Sequence, residues 1–201
     1  MKPGTIVYKQ SLKTSFESKA YKLVYTGKSK SGKEIVFRYP AESDLQMLCD
    51  YINTLSKEQT FIIFQGEQVS LEEEKIYLDS QLKAISENKS VQLLAFFEGK
   101  LVGNTQINLQ SKATKHIGVF GISLAKEFRG EGIGTLLMEK LIEEAKQHLE
   151  NLKIITLECF GNNEIARKLY EKMGFIKFGN LPKGILYRGT PVDHIYMFKE
   201  V

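Results

Sequence analysis

Cysteine is scarce in this chain of 201 residues, and long apolar runs are missing altogether. Cys49 and Cys159 are the two cysteines. They lie far apart and form no Cys-x-x-Cys pair, so a disulfide framework is not expected. No apolar run approaches the roughly 18 residues that cross a membrane. The start, MKPGTIVYK, also lacks the apolar centre of a secretory signal. We therefore expect a reduced, cytoplasmic protein that does not contact a membrane.

Other signals are missing as well. We find no internal repeat, no low-complexity segment and no ligand spacing typical of a metal site, so no metal is predicted. The formal net charge is only +4, and residues 9–33 contribute to it with seven lysines and one glutamate. A solvated charged face explains this segment better than a nucleic-acid surface does.

The order of secondary-structure signals indicates a mixed α/β protein. Two β-rich runs, Tyr21–Tyr25 and Glu34–Tyr39, flank a Gly/Ser loop, and two amphipathic helices follow. The second of these helices begins with a capping box of Ser70 and Glu73. Three strands, a helix, a strand, a short helix and two final strands complete the pattern. We expect a central mixed, mostly antiparallel sheet flanked by helices.

The chain is predicted to divide into two unequal parts. Residues 1–33 are interpreted as an extended N-terminal arm, with a strand considered at Thr5–Lys9. Residues 34–201 are interpreted as the main domain, which is long enough to bury a sizeable core.

The most informative stretch is EFRGEGIGTLLMEKLIEEA, Glu127–Ala145, in which an arginine and three alternate glycines directly precede an amphipathic helix. A helix start presents unpaired N–H groups and partial positive charge, and both favour a phosphate. Gly130, Gly132 and Gly134 would let the phosphate approach the backbone. Arg129 would add a cation with forked donors. The stretch predicts a pyrophosphate cradle, and a plain strand-to-helix turn without a ligand is the alternative.

Two common phosphate-binding loops fit this stretch less well. A Walker loop requires Gly-Lys-Ser/Thr, whereas Gly134 is followed directly by Thr135. A dinucleotide fingerprint requires a third glycine where Thr135 stands, although Glu158 lies at about the right distance to hold a ribose. The spacing that does fit is Arg129-x-x-Gly132-x-Gly134.

This spacing resembles a signature of the GCN5-related N-acetyltransferase (GNAT) superfamily, Gln/Arg-x-x-Gly-x-Gly/Ala between its fourth strand and the next helix. A second stretch, LECFGNNEIARKLYEKMGF, is similar to the family's other signature, a strand ending in Leu-Glu followed by Asn-x-x-Ala-x-x-Leu-Tyr-x-x-x-Gly-Phe. The matching residues are Leu157, Glu158, Asn163, Ala166, Leu169, Tyr170, Gly174 and Phe175. The resemblance covers about residues 34–199 and implies the acyl-CoA N-acyltransferase fold.

The resemblance also implies that acetyl-CoA is the cosubstrate. Its pyrophosphate would lie on the glycine loop, and its pantetheine arm would pair with the fourth strand. The residues expected to contact it are Ile122, Ser123, Leu124, Arg129, Gly130, Glu131, Gly132, Ile133, Gly134, Thr135, Asn163 and Ala166. For Asn163, a plain helix N-cap is an equally good interpretation.

Two residues are the candidates for catalysis. Tyr170 shares a helix face with Asn163 and would protonate the leaving thiolate, and a half-buried core tyrosine is its structural alternative. Glu158, at the end of an apolar strand where we expect it to be buried, would accept the proton of the amine; a structural carboxylate is its alternative. His116 could relay a proton, although a histidine at the surface end of a strand is the simpler interpretation. Cys159 is interpreted as a buried, inert thiol.

These interpretations predict an N-acetyltransferase that transfers the acetyl group directly to a primary amine in a ternary complex. The alternatives are a non-catalytic acyl-CoA-binding sensor or interaction module, and dinucleotide binding. The acceptor would be a small-molecule amine or a protein amine, and a homodimer is left open. The segment FIIFQGEQVSLEEE could form one wall of its site, with Glu67, Gln68 or Glu72 facing the amine, although solvated charges explain those residues better.

Overall fold

The predicted order of elements is confirmed over the residues that the computed structural model describes, 22–201. The strands there are β1 Leu23–Lys28, β2 Glu34–Arg38, β3 Ser90–Phe97, β4 Lys100–Leu109, β5 Ile117–Leu124, β6 Ile154–Phe160, β7 Ile176–Tyr187 and β8 Thr190–Glu200. The α-helices are α1 Leu45–Glu58, α2 Leu71–Ser86, α3 Ile133–His148 and α4 Glu164–Lys172. The strand considered at Thr5–Lys9 lies outside the described residues. Over the described range, none of the helices is both long and apolar enough to span a membrane.

The strands form one sheet in the order β1-β2-β3-β4-β5-β6-β8-β7. Every neighbouring pair is antiparallel except β5 and β6, which are parallel, so the predicted mixed, mostly antiparallel sheet is confirmed. A parallel pair requires a crossover between its strands, and α3 supplies it here. This single parallel pair lies in the middle of the sheet.

Helices cover both faces of the sheet, and β3 is buried from both sides. Leu93 belongs to the cluster that contains Leu137 of α3, whereas its neighbour Leu94 packs with Leu48 of α1. Successive side chains of a strand point to opposite faces, so α3 and α1 lie on opposite sides of the sheet. This arrangement explains why β3 is an almost unbroken apolar run rather than an alternating one.

The start of α2 and the hairpin between β3 and β4 have the local structure that their residues indicate. The hydroxyl of Ser70 accepts from the Glu73 N–H at 3.2 Å, and the Glu73 carboxylate accepts from the Ser70 N–H at 2.8 Å, which confirms the capping box of α2. Between β3 and β4, Glu98 and Gly99 adopt φ values of 48° and 78°. Two consecutive left-handed residues suit a tight hairpin, as the Glu-Gly pair between two β-rich runs indicates from the sequence.

The sheet extends across the predicted N-terminal boundary. Strand β1 lies within the segment predicted to be an arm, yet it pairs with β2, so hydrogen bonds of the sheet cross the boundary drawn at residue 33. In β5 the two internal glycines, Gly118 and Gly121, suggest from the sequence either a bulge or a close approach, and the pairing with β4 has no bulge because its register runs without a shift from Gly118 to Leu124. The alternative of close approach is correct at Gly118, where an added Cβ would lie 2.6 Å from Ile107 Cγ2.

Candidate functional site

The central feature of the site is an opening between β5 and β6. The two strands pair at only three positions, the last being Val119 with Thr156. Beyond that point β5 continues to Leu124, while β6 remains paired with β8 as far as Phe160 and His194. Among residues 22–201, no strand covers the exposed backbone edge of β5 after Val119. A cavity of about 620 Å³ occupies this opening.

Tyr170 reaches the cavity from α4. Its ring packs edge-on against Phe120 of β5, with ring centroids 6.1 Å apart, and it is buried. Burial raises the pKa of the Tyr170 phenol well above its ordinary value, and the neighbouring Cys159 adds to the rise. Within residues 22–201 the hydroxyl has no hydrogen-bond partner. The phenol is therefore protonated at neutral pH and free to donate into the cavity.

Glu158 lies on the β6 wall of the same cavity, but the expectation that it is buried is wrong. Its side chain is 57% exposed, because it lies where β6 has separated from β5. Its Oε2 atom lies 3.1 Å from Nε2 of His194, and Nδ1 of that histidine lies 3.1 Å from the hydroxyl of Tyr196. A neutral His194 satisfies both contacts when Nε2 carries the proton, because an ionised carboxylate can only accept.

The glycine loop begins α3 beside this opening. Gly130 and Gly132 have φ values of 78° and 80°, a left-handed conformation that other residues adopt only with strain, and Gly132 is the N-cap of α3. At Gly134 the space is tight instead, because a Cβ there would lie 3.2 Å from Leu124 Cδ1 and that side chain would have to shift slightly. The first N–H groups of α3 have no acceptor within the helix, so the loop can bind an anion.

Arg129 is held by groups of the protein itself. Its guanidinium donates to the Leu124 carbonyl from Nε at 3.0 Å and from Nη2 at 2.9 Å, and it forms a forked ion pair with Glu58 of α1. A forked contact with a phosphate would require the side chain to leave these partners. The backbone, rather than this guanidinium, is thus the part of the loop already arranged for an anion.

The connector between β1 and β2 packs against the glycine loop. The Lys30 N–H donates to the Glu131 carbonyl at 3.0 Å, and the Ser31 N–H donates to the Glu131 carboxylate, also at 3.0 Å. Hydrogen bonding by Ser31 is the main reason that the pKa of Glu131 lies below its ordinary value. Beside these contacts lies a groove of about 300 Å³, lined by the start of α3 and by Lys28, Lys30 and Lys172.

Helix α4 connects the cavity with the groove. Asn163 caps the helix by accepting from the Ala166 N–H at 3.2 Å, so its predicted role as an N-cap is confirmed, and it also lines the cavity. Tyr170 lines the cavity, whereas Lys172 lines the groove. A Cβ at Gly134 would meet Leu169 at 3.9 Å, so α4 packs close to the start of α3. The two motifs of the sequence therefore lie side by side.

A family model described as "Acetyltransferase (GNAT) family" matches residues 51–175. The chain belongs to the GNAT acetyltransferase family. The match includes the opened β5–β6 pair, the glycine loop and Tyr170. The family resemblance stated from the two motifs is confirmed.

Individual relatives agree with this assignment. The chain is 34% identical over 107 residues to the L-amino acid N-acetyltransferase AaaT of Escherichia coli, a match that covers 53% of this chain and 65% of that protein. The crystal structure of a GNAT-family acetyltransferase from Streptococcus pneumoniae superimposes with a TM-score of 0.75 at 29% identity, covering 83% of this chain and 99% of that one.

The fold is also shared with a protein solved with its cofactor. The microcin C7 self-immunity acetyltransferase MccE, in complex with acetyl-CoA and AMP, superimposes with a TM-score of 0.67 at 21% identity, covering 83% of this chain and 92% of that one. The segments matched in the curated relatives span 50% to 67% of those proteins' lengths.

In this GNAT-family chain, the segment between α1 and α2 forms a wall of the cavity, as predicted, but with other polar residues. The ring of Phe61 stacks on that of Tyr187 of β7, with ring centroids 4.5 Å apart. The Arg188 N–H donates to the Gln65 side chain at 3.0 Å. Both contacts attach the segment to the β7–β8 turn. Glu67, Gln68 and Glu72, the residues suggested to face the amine, do not line the cavity. The carboxylates that do line it from α2 are Glu73 and Glu74.

Sequence reasoning missed three side chains of the cavity. Tyr51 of α1 shares a 3.0 Å hydrogen bond with Ser123 on β5. His194 lies beside Glu158, and Glu74 lies at a buried position of α2. For Glu74 a signal existed, since it precedes Leu78 by one helical turn and therefore shares the apolar face. Tyr51 and His194 depend on helix packing and strand register, which no local pattern gives.

The remaining polar residues considered from the sequence have no part in the proposed chemistry. Cys159 lines the cavity but is buried, and burial raises the pKa of its thiol to about 11, as expected for an unreactive thiol. His116 precedes the first residue of β5, at the end opposite Ser123, and it does not line the cavity. Asp193 accepts hydrogen bonds from Asn180 and from the Lys183 N–H, so it holds the irregular part of β7 against β8.

Proposed function

We propose that this chain is an acetyl-CoA-dependent N-acetyltransferase that transfers the acetyl group directly to a primary amine in a ternary complex. One observation carries the proposal: the pairing of β5 and β6 stops after three positions, and the cavity formed there holds a protonated phenol and a solvent-accessible carboxylate on neighbouring walls. When bound, acetyl-CoA supplies the thioester that the amine attacks.

The cofactor would lie along β5 and the glycine loop. The free backbone edge of Ile122–Leu124 can pair with an extended amide-containing arm as a further strand would. Gly130 to Thr135 would then bind the pyrophosphate through their N–H groups. In the adjoining groove Lys28, Lys30 and Lys172 outnumber Glu131 and Glu139, so its lining has a small positive net charge that would favour a phosphorylated cofactor. Asn163 and Ala166 would border the same arm from α4.

Tyr170 would serve as the general acid. When the tetrahedral intermediate collapses, the C–S bond breaks and the sulfur leaves as a thiolate that must gain a proton. The buried phenol of Tyr170 holds its proton at neutral pH, because burial raises its pKa. Its hydroxyl faces the cavity with no partner among the described residues to hold it back. A phenol is a weaker acid than a thiol, so the proton would pass to the sulfur while the C–S bond is breaking, and the phenolate would regain a proton from solvent.

Glu158 would serve as the base. An alkyl amine with a pKa near 10.4 is mostly protonated at neutral pH, and its deprotonation costs roughly 4–5 kcal/mol. Glu158 can accept that proton directly or through water, since its side chain is exposed to the cavity. The 3.1 Å contact between Glu158 Oε2 and His194 Nε2 would orient the carboxylate and leave its other oxygen available.

Direct transfer fits the absence of an activated nucleophile among the described cavity residues. The one thiol there, Cys159, has a pKa raised to about 11 by burial and would be almost entirely un-ionised at neutral pH. A covalent acetyl-enzyme through this residue would need the thiolate. The amine would therefore attack the thioester itself.

The test is release of free CoA thiol from acetyl-CoA with a panel of primary amines, alongside calorimetric titration of CoA. We expect amine-dependent thiol release, and no acetylation of the protein when acetyl-CoA is added alone and intact mass is measured. CoA binding without any amine-dependent release would instead support a non-catalytic acyl-CoA-binding module. Acetylated Cys159 would contradict direct transfer.

A further inference from the structure

We propose that Glu74 binds the ammonium group of the acceptor, and that the acceptor is a primary amine on an apolar body with no carboxylate next to the amine. This inference rests on the proposed function, because it names the class of substrate for the same cavity. It assigns a role to a residue that neither the motifs nor the proposed mechanism uses.

The position of Glu74 is unusual for a carboxylate. It is 6% exposed, yet within residues 22–201 its side chain has no hydrogen bond and no ion pair. Its oxygens are not sealed in the protein interior, and the residue lines the cavity. The neighbouring Glu73 is used in the capping box, so a structural role explains that residue and not Glu74. A buried, unpartnered acceptor beside a cavity points to a ligand that donates to it.

Burial has a cost that a cationic ligand would offset. Burial alone raises the pKa of Glu74 from 4.5 to about 7. Two titratable groups interact electrostatically with Glu74, namely Cys49 of α1 and Tyr77 of α2. The pKa values of both are raised and lie well above neutral, so neither group changes charge between pH 5 and 8. The other titratable side chains of the described lining are those of Tyr51, Glu73, Glu158, Cys159, Tyr170 and His194. An ammonium group would restore the ionised form by pairing with it.

The charges around the cavity decide what else the acceptor can carry. Its ionisable lining includes Glu73, Glu74 and Glu158, and among residues 22–201 it includes no lysine and no arginine. A free amino acid would bring its carboxylate among these carboxylates, and the one basic side chain of the described lining, His194, already lies against Glu158. Repulsion between like charges in one cavity disfavours binding of such a ligand. An amine without that carboxylate meets no such penalty.

The rest of the wall favours an apolar body. Near the α1–α2 segment the lining is formed by Ile52, Phe61, Phe64, Val69 and Ile185. Burial of apolar surface against such side chains is favourable by roughly 25 cal/mol per Å² in transfer measurements. Phenylalaninamide and phenylalanine therefore make a matched pair of probes, since they share the amine and the ring and differ in the carboxylate.

The experiment measures binding of these two probes to the CoA-loaded protein by calorimetry, and their turnover by thiol release. We expect phenylalaninamide to bind at least roughly 10-fold more tightly than phenylalanine, the scale of one unfavourable charge contact. Phenethylamine, which lacks the carboxyl group entirely, should bind like the amide. Equal binding of phenylalaninamide and phenylalanine, or no detectable binding of either, would overturn the proposal.

The variant Glu74→Gln tests the residue itself. It should weaken phenylalaninamide binding by roughly 10- to 100-fold, the range for losing a hydrogen bond to a charged group, while CoA affinity is unchanged. Glu72→Gln is the matched control, because Glu72 is an exposed carboxylate of the same helix that does not line the cavity. Unchanged amide binding in Glu74→Gln would contradict the assignment.

Stability separates this role from a structural one. Glu74 has a pKa raised above its unfolded value, so its contribution to stability is fully present below about pH 4.5 and is lost as the pH rises through about 7. Glu74→Gln should therefore raise the melting temperature at pH 8 by roughly 5 °C and change it little at pH 4.5. A lower melting temperature at pH 8 would mean that the carboxylate supports the fold.

These results also distinguish the inference from the proposed function. If phenylalaninamide binds in a Glu74-dependent manner but no amine is acetylated, transfer is refuted and the binding assignment stands. If other amines are acetylated but both probes bind equally, transfer stands and the binding assignment is refuted.

Discussion

The two halves of the candidate site are built in different ways. The phosphate side is made by one short stretch, where Gly130 and Gly132 adopt left-handed conformations and α3 begins with unpaired N–H groups. The acceptor side is made by side chains from α1, α2, β6, α4 and β8, which meet only in the folded chain. A backbone site can be recognised from a local pattern, whereas a side-chain site depends on how distant elements pack. Substitutions should therefore separate the two halves.

The largest effect should come from the acceptor side, at Tyr170. Tyr170→Phe keeps the ring that packs on Phe120 and removes the proton that the thiolate would need. We expect kcat to fall by roughly 10²-fold or more, with CoA affinity and melting temperature nearly unchanged. Stopped-flow thiol release measures kcat, titration calorimetry measures CoA affinity, and thermal unfolding measures the melting temperature.

Tyr187→Phe is the control for this variant, because Tyr187 also stacks on a phenylalanine but does not line the cavity. It should keep full activity. A loss of stability in Tyr170→Phe without a kinetic defect would instead support the role of a core tyrosine.

The phosphate side should respond next, through Thr135 in the first turn of α3. Gly132 is unsuited to this test, since its φ of 80° would strain any side chain. In Thr135→Asp, the new charge favours the helix start but repels a pyrophosphate. At an effective dielectric constant of about 20 to 40, the repulsion should weaken CoA binding by roughly 10- to 100-fold. Calorimetric titration of CoA at low salt checks this.

The matched variant is Thr135→Asn, which has the shape of aspartate without its charge and should lose little affinity. Equal CoA binding by the Asp and Asn variants would show that the pyrophosphate does not lie on the first turn of α3. That result would contradict the proposal that the glycine loop and the start of α3 form the phosphate side of the site.

A smaller effect is expected at His194, which in the proposed mechanism would orient Glu158 without touching the reacting atoms. His194→Gln retains a donor near the carboxylate but loses the ring contact with Tyr196. We expect kcat to fall roughly 10-fold, less than in Glu158→Gln, and the pH profile of kcat to change shape.

His148→Gln is the control here, because His148 also lies beside a glutamate, Glu144, at 3.4 Å but on the far end of α3. A normal pH profile in His194→Gln would leave the Glu158–His194 contact without a catalytic role.

The smallest effect should follow removal of residues 1–20. The described groove and cavity are lined by residues from Lys28 onward, and both motifs lie downstream. CoA affinity by calorimetry should stay within about twofold, which is a free-energy change well below 1 kcal/mol. A large loss of affinity would show that the predicted arm completes the groove or a contact between subunits.

The sequence by itself determined the order of elements, the capping box at Ser70, the turn at Glu98-Gly99 and the family. Each of these depends on residues close together in the chain, since turns, caps and helix starts are decided by local backbone preferences. For the same reason the glycine loop can be recognised from the sequence alone. The helix spacing of Asn163 and Tyr170 likewise placed both on the cavity side of α4.

Only the tertiary structure decided how the acceptor side is built. The register of β6 against β8 makes His194 a diagonal neighbour of Glu158, and the opening of β5 from β6 leaves Glu158 exposed where an apolar strand suggested burial. The packing of α2 over the cavity leaves Glu74 buried and unpaired. Strand register and helix packing are set by the whole core, so no short stretch of sequence contains them.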